Sequence, residues 1–270
     1  MALWHAGRAC CDGEVTGSGW ARRWGAAAER KETDMSFVAV LAGTVIGVFL
    51  LRRPLKKHPG VFYALAALLD ALYMCSFFVA FPEVARRAIF LLMQKCTLAC
   101  ALFAVVMFIG VFRADSKVGL MLRPVRAELS ILACVLTVGH MALYLASFAP
   151  RLANGGIANG GFAVFFATAM ALLAVLVVLG ATSLQGVKRR MDSGSWKRLQ
   201  KWAYVFFGLV YVHLMSILLP SALAQGTTAR TSVVVYTVLF ALYAVARIAR
   251  AVADRKRSAA PLSSAFEGAR

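Results

Sequence analysis

The chain has 270 residues and a formal net charge of +18, yet only 16% of its residues are charged and 61% are hydrophobic, with a mean hydropathy of +0.73. Those values exclude an ordinary water-soluble domain and place the chain in lipid. They also exclude a nucleic-acid-binding face, because the Lys and Arg residues fall in short clusters between long apolar runs instead of lining one surface.

A hydrocarbon core roughly 30 Å thick takes about 20 residues of helix at 1.5 Å rise each. Seven apolar runs meet that need, near 36–52, 60–81, 88–112, 127–149, 161–181, 199–219 and 231–250. The fold expected is therefore all-α and integral to the membrane, with about seven spans. The first run is the shortest. Residues 1–34 form an N-terminal extension that is either disordered or an artefact of the start site, since Met35 stands directly before the first run. The transmembrane domain occupies 35–252, and a basic tail follows at 253–270.

Basic residues alternate in density between the runs, as the positive-inside rule requires. Arg52, Arg53, Lys56 and Lys57, then Arg113, Lys117, Arg123 and Arg126, then Lys188, Arg189, Arg190, Lys197, Arg198 and Lys201 mark one side. The tail, with Arg247, Arg250, Arg255, Lys256, Arg257 and Arg270, joins them. The opposite loops carry only Arg86 and Arg87, then Arg151, then Arg230. An odd number of spans in the cell membrane, with the C-terminus cytoplasmic and the N-terminus outside, fits every loop.

The six cysteines form no CxxC and no CxxCH, so c-type haem attachment, an iron–sulfur cluster and a cysteine-based zinc site are all unsupported. Cys75, Cys96, Cys100 and Cys134 lie within spans, where a thiol is ordinarily a small packing group. The glycine-rich stretch LANGGIANGG between the fourth and fifth spans reads as a flexible turn, because no Lys-Ser or Lys-Thr follows it as in a phosphate cradle.

Two of the four histidines, His140 and His213, fall inside spans, where an ionisable residue is a functional candidate by default. The fourth and sixth spans run in the same direction, and each histidine lies about 13 residues from the cytoplasmic end, roughly 20 Å in. Matched depth on parallel helices is what a haem iron with two axial imidazoles requires. The competing reading gives each histidine an interhelical hydrogen bond and no cofactor. Zinc is disfavoured because four ligands cannot be gathered at that depth, Cys134 pointing to another face of its helix. His58, before Pro59, reads as a loop residue, and His5 belongs to the N-terminal extension.

The stretches RPVRAELSILACVLTVGHMALY (123–144) and TSLQGVKRRMDSGSWKRLQKWAYVFFGLVYVHL (182–214) resemble the ferric reductase-like transmembrane domain family, nearest to the membrane haem subunit of the bacterial periplasmic methionine-sulfoxide reductase system. Thr182, Ser183, Arg189, Arg190, Trp196, Leu199, Tyr204 and His213 occupy matching positions in order, and a ferric reductase-like core would span about 60–220. The resemblance implies that His140 and His213 ligate the iron of one haem b. Relatives commonly carry a further histidine where this chain has Gln200, and two-haem relatives carry one where it has Arg126 and Ala127, which implies a single haem in the outer half. Larger relatives append a flavin and nicotinamide domain, and no GxGxxG after a strand occurs here. The resemblance implies a six-helix haem-binding bundle plus one further span, acting as an oxidoreductase electron-transfer subunit. Its donor would be membrane quinol or a flavoprotein, and its acceptor an outer-face reductase or metal ion, as in ferric reduction. A cofactor-free transporter or assembly factor is the alternative.

Supporting residues complete the reading. Arg86, Arg87, Arg151 and Arg230 lie on the outer side, where haem propionates would emerge, although each could equally be a solvated loop residue. Asp70 and Lys95, costly within spans two and three, fall at depths that allow an ion pair or a proton or quinone site. Trp196 and Trp202 suit an interfacial aromatic belt.

Overall fold

The computed structural model describes residues 36–113, 115–153, 160–224 and 227–267. The N-terminal extension with His5 and Met35, most of the glycine-rich loop, and the end of the tail lie outside them. Among the described residues every regular element is helical. In chain order these are α1 Ser36–Lys57, α2 Pro59–Cys75, α3 Glu83–Ile89 running into a π-helical segment Phe90–Gln94, α4 Thr97–Ile109 and α5 Lys117–Leu122. After a 3-10 turn at Arg123–Val125 come α6 Arg126–Ala153, α7 Gly160–Ser183, α8 Gln185–Arg190, α9 Ser193–Gln200, α10 Trp202–Leu223 and α11 Thr227–Glu267.

Among the described residues, five helices are long and apolar enough to cross a bilayer, and the bent pair α3–π and α4 would make a sixth. The chain is a multi-pass helical membrane protein. The run expected as the second span is realised as α2, whose 17 residues end at Cys75 where Ser76 caps the chain back onto Leu72 and Tyr73. The last helix departs from expectation in the other direction. It continues through the basic tail to Glu267, and Arg250 pairs with Asp254 one turn on at 3.0 Å, so the charged segment extends the helix instead of ending it.

Helix α4 is the axis of the packing. It is apolar throughout and buries Ala99, Cys100, Ala101, Ala104 and Val105, small side chains that let neighbouring backbones come close. In lipid there is no hydrophobic drive between helices, so this closeness, with its dispersion and interhelical hydrogen bonds, does the work that burial does in water. On one flank α4 packs with α1, α2 and α6 around Tyr73, Met93, Ile109 and Leu129. On the other it meets α10 and α11 through Ala104, Met107, Phe207 and Tyr243. Helix α7 packs along α10 and touches α6 where Gly180 faces the Cys134 thiol. Helices α6 and α10, which carry the two histidines, have almost no direct contact with each other.

Sequence reasoning gave the third span as one unbroken helix. The structure breaks it by 46° at a junction that contains neither Gly nor Pro. The π turn closes with Lys95 N–H on the Phe90 carbonyl at 3.1 Å, and Cys96 then adopts φ 54°, the left-handed region that costs a non-glycine residue roughly 1–2 kcal/mol. Backbone carbonyls freed at membrane depth must find other donors. The Thr97 hydroxyl donates to the Leu91 carbonyl at 2.7 Å, and the Gln94 carbonyl takes a hydrogen bond from α6.

Near the basic end, Lys56 at the close of α1 reaches Glu128 in the first turn of α6 at 3.0 Å. The Glu128 side chain is buried, and its position also suits the positive end of the helix dipole.

Candidate cofactor site

His140 lies about four turns into α6 and His213 about three turns into α10, in helices whose first turns both belong to the basic end of the bundle. Each imidazole is half-buried and each is held through Nδ1. The donor from α6 to the broken span is His140 itself: its Nδ1–H donates to the Gln94 carbonyl at 3.0 Å, because a carbonyl can only accept. That bond exists because the π turn exposes the carbonyl. The His140 ring is further flanked by Tyr144 one turn on, with centroids 4.7 Å apart.

His213 reaches the same tautomer by another route. Its Nδ1 lies 3.4 Å from the Thr168 hydroxyl of α7, and that hydroxyl already donates its proton to the Phe165 carbonyl at 2.8 Å. With its proton placed there, the hydroxyl presents a lone pair to Nδ1 of His213, which suits the tautomer that carries hydrogen on Nδ1. Phe165, from the same turn of α7, stacks on the His213 ring at 5.0 Å and 25° and meets Phe148 of α6 edge-on at 5.8 Å. Helix α7 thus orients one imidazole while standing between the two helices that bear the pair.

With both Nδ1 atoms engaged, both Nε2 atoms are open to a ligand. Orientation of a ligating imidazole through its other nitrogen is the arrangement metal sites use to fix ring and tautomer. The residues present therefore fit the haem that the sequence resemblance implies, with two imidazole nitrogens and helices not packed against each other. No group of three or more His, Cys, Asp or Glu that could hold a bare metal ion occurs among the described residues.

The supporting residues are placed less simply. Asp70 and Lys95 do not pair. The Asp70 carboxyl rests on Gly139 of α6, where a Cβ would collide with it, whereas Lys95 is exposed with its ammonium 5.4 Å from the Phe90 ring. Arg86 and Arg87 engage Glu83 in their own short helix, and Arg230 donates from Nε to the Ala222 carbonyl at 3.0 Å. The side chain of Arg151 lies outside the described residues.

The resemblance residues at the basic end do converge. Trp196 donates from Nε1 to the Thr182 carbonyl at 3.1 Å, Gln200 donates to the Thr182 hydroxyl at 3.4 Å, and Lys188 lies 4.4 Å above the Trp196 ring. Trp196 thus has a latching role, closing α9 onto the end of α7, beyond the interfacial one read from sequence. His58 caps the start of α2 without a side-chain hydrogen bond and is exposed. Cys75, Cys96, Cys100 and Cys134 are free thiols. Sequence reasoning missed Tyr73, Gln94, Thr168 and Phe165. Thr168 and Phe165 carry a usable signal, lying one turn apart on the span between the two histidine helices; the role of the Gln94 main chain has none.

No protein-family model matches the chain, and no solved structure matches it. It is 35% identical over 237 residues to an uncharacterized protein of Treponema pallidum (strain Nichols), an alignment covering 86% of this chain and 65% of that protein. The chain thus spans just under two thirds of that relative's length.

Proposed function

We propose that the protein is a membrane b-type cytochrome, in which His140 and His213 ligate the iron of one haem and electrons pass through it to an acceptor outside the membrane. The observation that carries this reading is a matched placement: two half-buried imidazoles on separate helices, each engaged through Nδ1, which leaves Nε2 open to a ligand. The haem would supply one-electron chemistry. The chain's own part is to fill both axial positions, which favours electron transfer over oxygen binding, and to surround the site with apolar helices that set its potential.

The reading includes seven spans, with α2 and the bent α3–π–α4 unit each counted as one. The C-terminus is cytoplasmic and the N-terminus outside, as the basic clusters indicate. A single outer-half haem makes membrane quinol, or an outer flavoprotein, the simpler donor. A partner reductase or a metal ion, as in ferric reduction, is the acceptor. One observation favours the cofactor-free alternative: a span broken at membrane depth beside a polar cluster is a feature of transporters.

The full chain, purified from haem-supplied bacterial membranes, decides between them. A dithionite-reduced minus oxidised spectrum with a b-type α-band and about one haem per chain is the result predicted, and quinol should reduce the same band. A colourless protein would leave both histidines as interhelical hydrogen-bonding groups and return the transporter reading to first place.

A further inference from the structure

Between α10 and α11 lies a groove of about 400 Å³, on a different face of α10 from His213, which is turned to Thr168 of α7. Its floor is aromatic. Phe207 of α10 stacks on Phe240 of α11 with centroids 4.3 Å apart and meets Tyr243 edge-on at 4.9 Å. Gly208 leaves the middle of the groove open, since a Cβ at that position would meet nothing within 4 Å. One end is closed by Tyr211, whose hydroxyl is hydrogen-bonded to that of Thr237 at 3.2 Å. The other end, walled by Tyr204, opens toward the basic end of the bundle. Seven residues of helix separate Tyr204 from Tyr211, about 10 Å along the axis, which is most of one leaflet's share of a hydrocarbon core about 30 Å thick.

The open end carries a cation that no carboxylate neutralises. Arg247, half-buried, donates from Nε to the Tyr204 hydroxyl at 3.0 Å, and its guanidinium lies 5.2 Å from the centre of the same ring. Among the described residues no carboxylate lies within ion-pair distance of Arg247, and its Nη groups make no hydrogen bond. Arg250, one turn on, is the contrast, because Asp254 pairs with it at 3.0 Å. A guanidinium held by a phenol through Nε keeps its Nη donors as a planar fork, the geometry that matches phosphate. An apolar groove continuous with such a fork fits a molecule with a phosphate head and a hydrocarbon chain. The charge of that head is set by its surroundings: Arg126 and Lys201 stand at the starts of α6 and α10 on the same end of the bundle, and they disfavour a head that brings its own ammonium. The groove also stops at the Tyr211–Thr237 pair, short of the length over which a partner helix would pack, so a lipid chain is the better fit.

We propose that the groove between α10 and α11 binds one anionic phospholipid from the leaflet at the basic end, with its phosphate on Arg247 and an acyl chain over Phe207, Gly208 and Phe240. The site does not rest on the haem reading, since it uses none of the atoms assigned to iron.

Thermal unfolding and native mass spectrometry of the purified full chain in neutral detergent test it, with phosphatidylglycerol and phosphatidylcholine of identical acyl chains titrated separately. Wild type should show a saturable rise in Tm with phosphatidylglycerol and retain about one molecule per chain, with phosphatidylcholine about tenfold weaker. Arg247→Gln should erase that preference, whereas Arg250→Gln, whose guanidinium already has a carboxylate, should keep it. Gly208→Leu should weaken phosphatidylglycerol binding about tenfold by filling the groove. Equal responses of wild type to the two lipids overturn the proposal, as does an undiminished preference in Arg247→Gln. A Gly208→Leu variant that binds as wild type does overturns it too, and so does one that instead dissociates a dimer, which would make the groove a helix interface. Should Arg247→Gln fail to fold, Gly208→Leu carries the same decision. None of these readouts requires haem, so failure here and failure of the cytochrome reading are told apart.

Discussion

The two histidines are held by opposite strategies. His140 belongs to the densely packed side of the bundle and is anchored to a main-chain carbonyl that exists only because the facing helix breaks. His213 belongs to a more open side, between α7 and α10, and is anchored by a threonine hydroxyl and an aromatic stack. A backbone anchor cannot be removed by changing one side chain, whereas a hydroxyl can. The halves therefore reach one tautomer with unequal vulnerability, and that inequality is open to test.

The largest effect falls on the ligands themselves. His140→Ala and His213→Ala should each lower bound haem below about one tenth of wild type, because neither nitrogen has a substitute within the described residues; pyridine haemochrome assays on equal amounts of protein measure this. Retention of full haem in either variant would dissolve the pairing.

Next comes the packed side. Gly139→Leu would drive a side chain into the Asp70 carboxyl, and overpacking of this kind costs about 1–3 kcal/mol, read as a fall in Tm. Asp70→Ala in the same chain should recover part of that loss. If the double variant is no better than the single one, the close approach of α2 and α6 at this point is not what limits stability.

On the open side, Thr168→Val removes the acceptor that fixes His213 while nearly conserving volume. Loss of an orienting partner typically weakens metal binding by about 10–100-fold, and the lower end is expected because Phe165 still stacks on the ring. Gln94→Ala, by contrast, leaves the carbonyl that holds His140 and should change haem affinity little. Equal effects of these two substitutions would erase the distinction between the halves.

The smallest effect concerns Asp192, the residue before α9, whose carboxylate accepts from Ser195 N–H at 2.9 Å. That bond holds its carboxyl below the usual aspartate range. The stabilisation is therefore complete at neutral pH and disappears as the pH falls through the lowered value. Asp192→Ala should reduce Tm slightly at pH 7 and not at all once wild-type Asp192 is protonated, a difference that unfolding curves at several pH values resolve.

The apolar, multi-pass character was legible in sequence because length and apolarity are local properties, whereas helix ends were not: α2 stops at Cys75 and α11 runs on to Glu267. His140 and His213 were legible because a titratable side chain in an apolar run stands out. The break at Gln94–Thr97 was not, since it involves no Gly or Pro and follows from a π turn that pays off only once Thr97 and His140 cover the freed carbonyls. Asp70 and Lys95 were legible as costly residues within spans, but not the neighbours they meet, Gly139 for Asp70 and the Phe90 ring for Lys95. Glu128 escaped notice for a different reason: a single acid among many basic residues looks like loop composition until Lys56 is found against it.

The claim that two imidazoles share one iron is tested most directly by low-temperature electron paramagnetic resonance of the oxidised, purified full chain. The account predicts a low-spin ferric signal with bis-imidazole anisotropy in wild type, replaced by a high-spin signal in whatever haem His213→Ala retains. A high-spin wild type, or a protein with no haem signal at all, would contradict it.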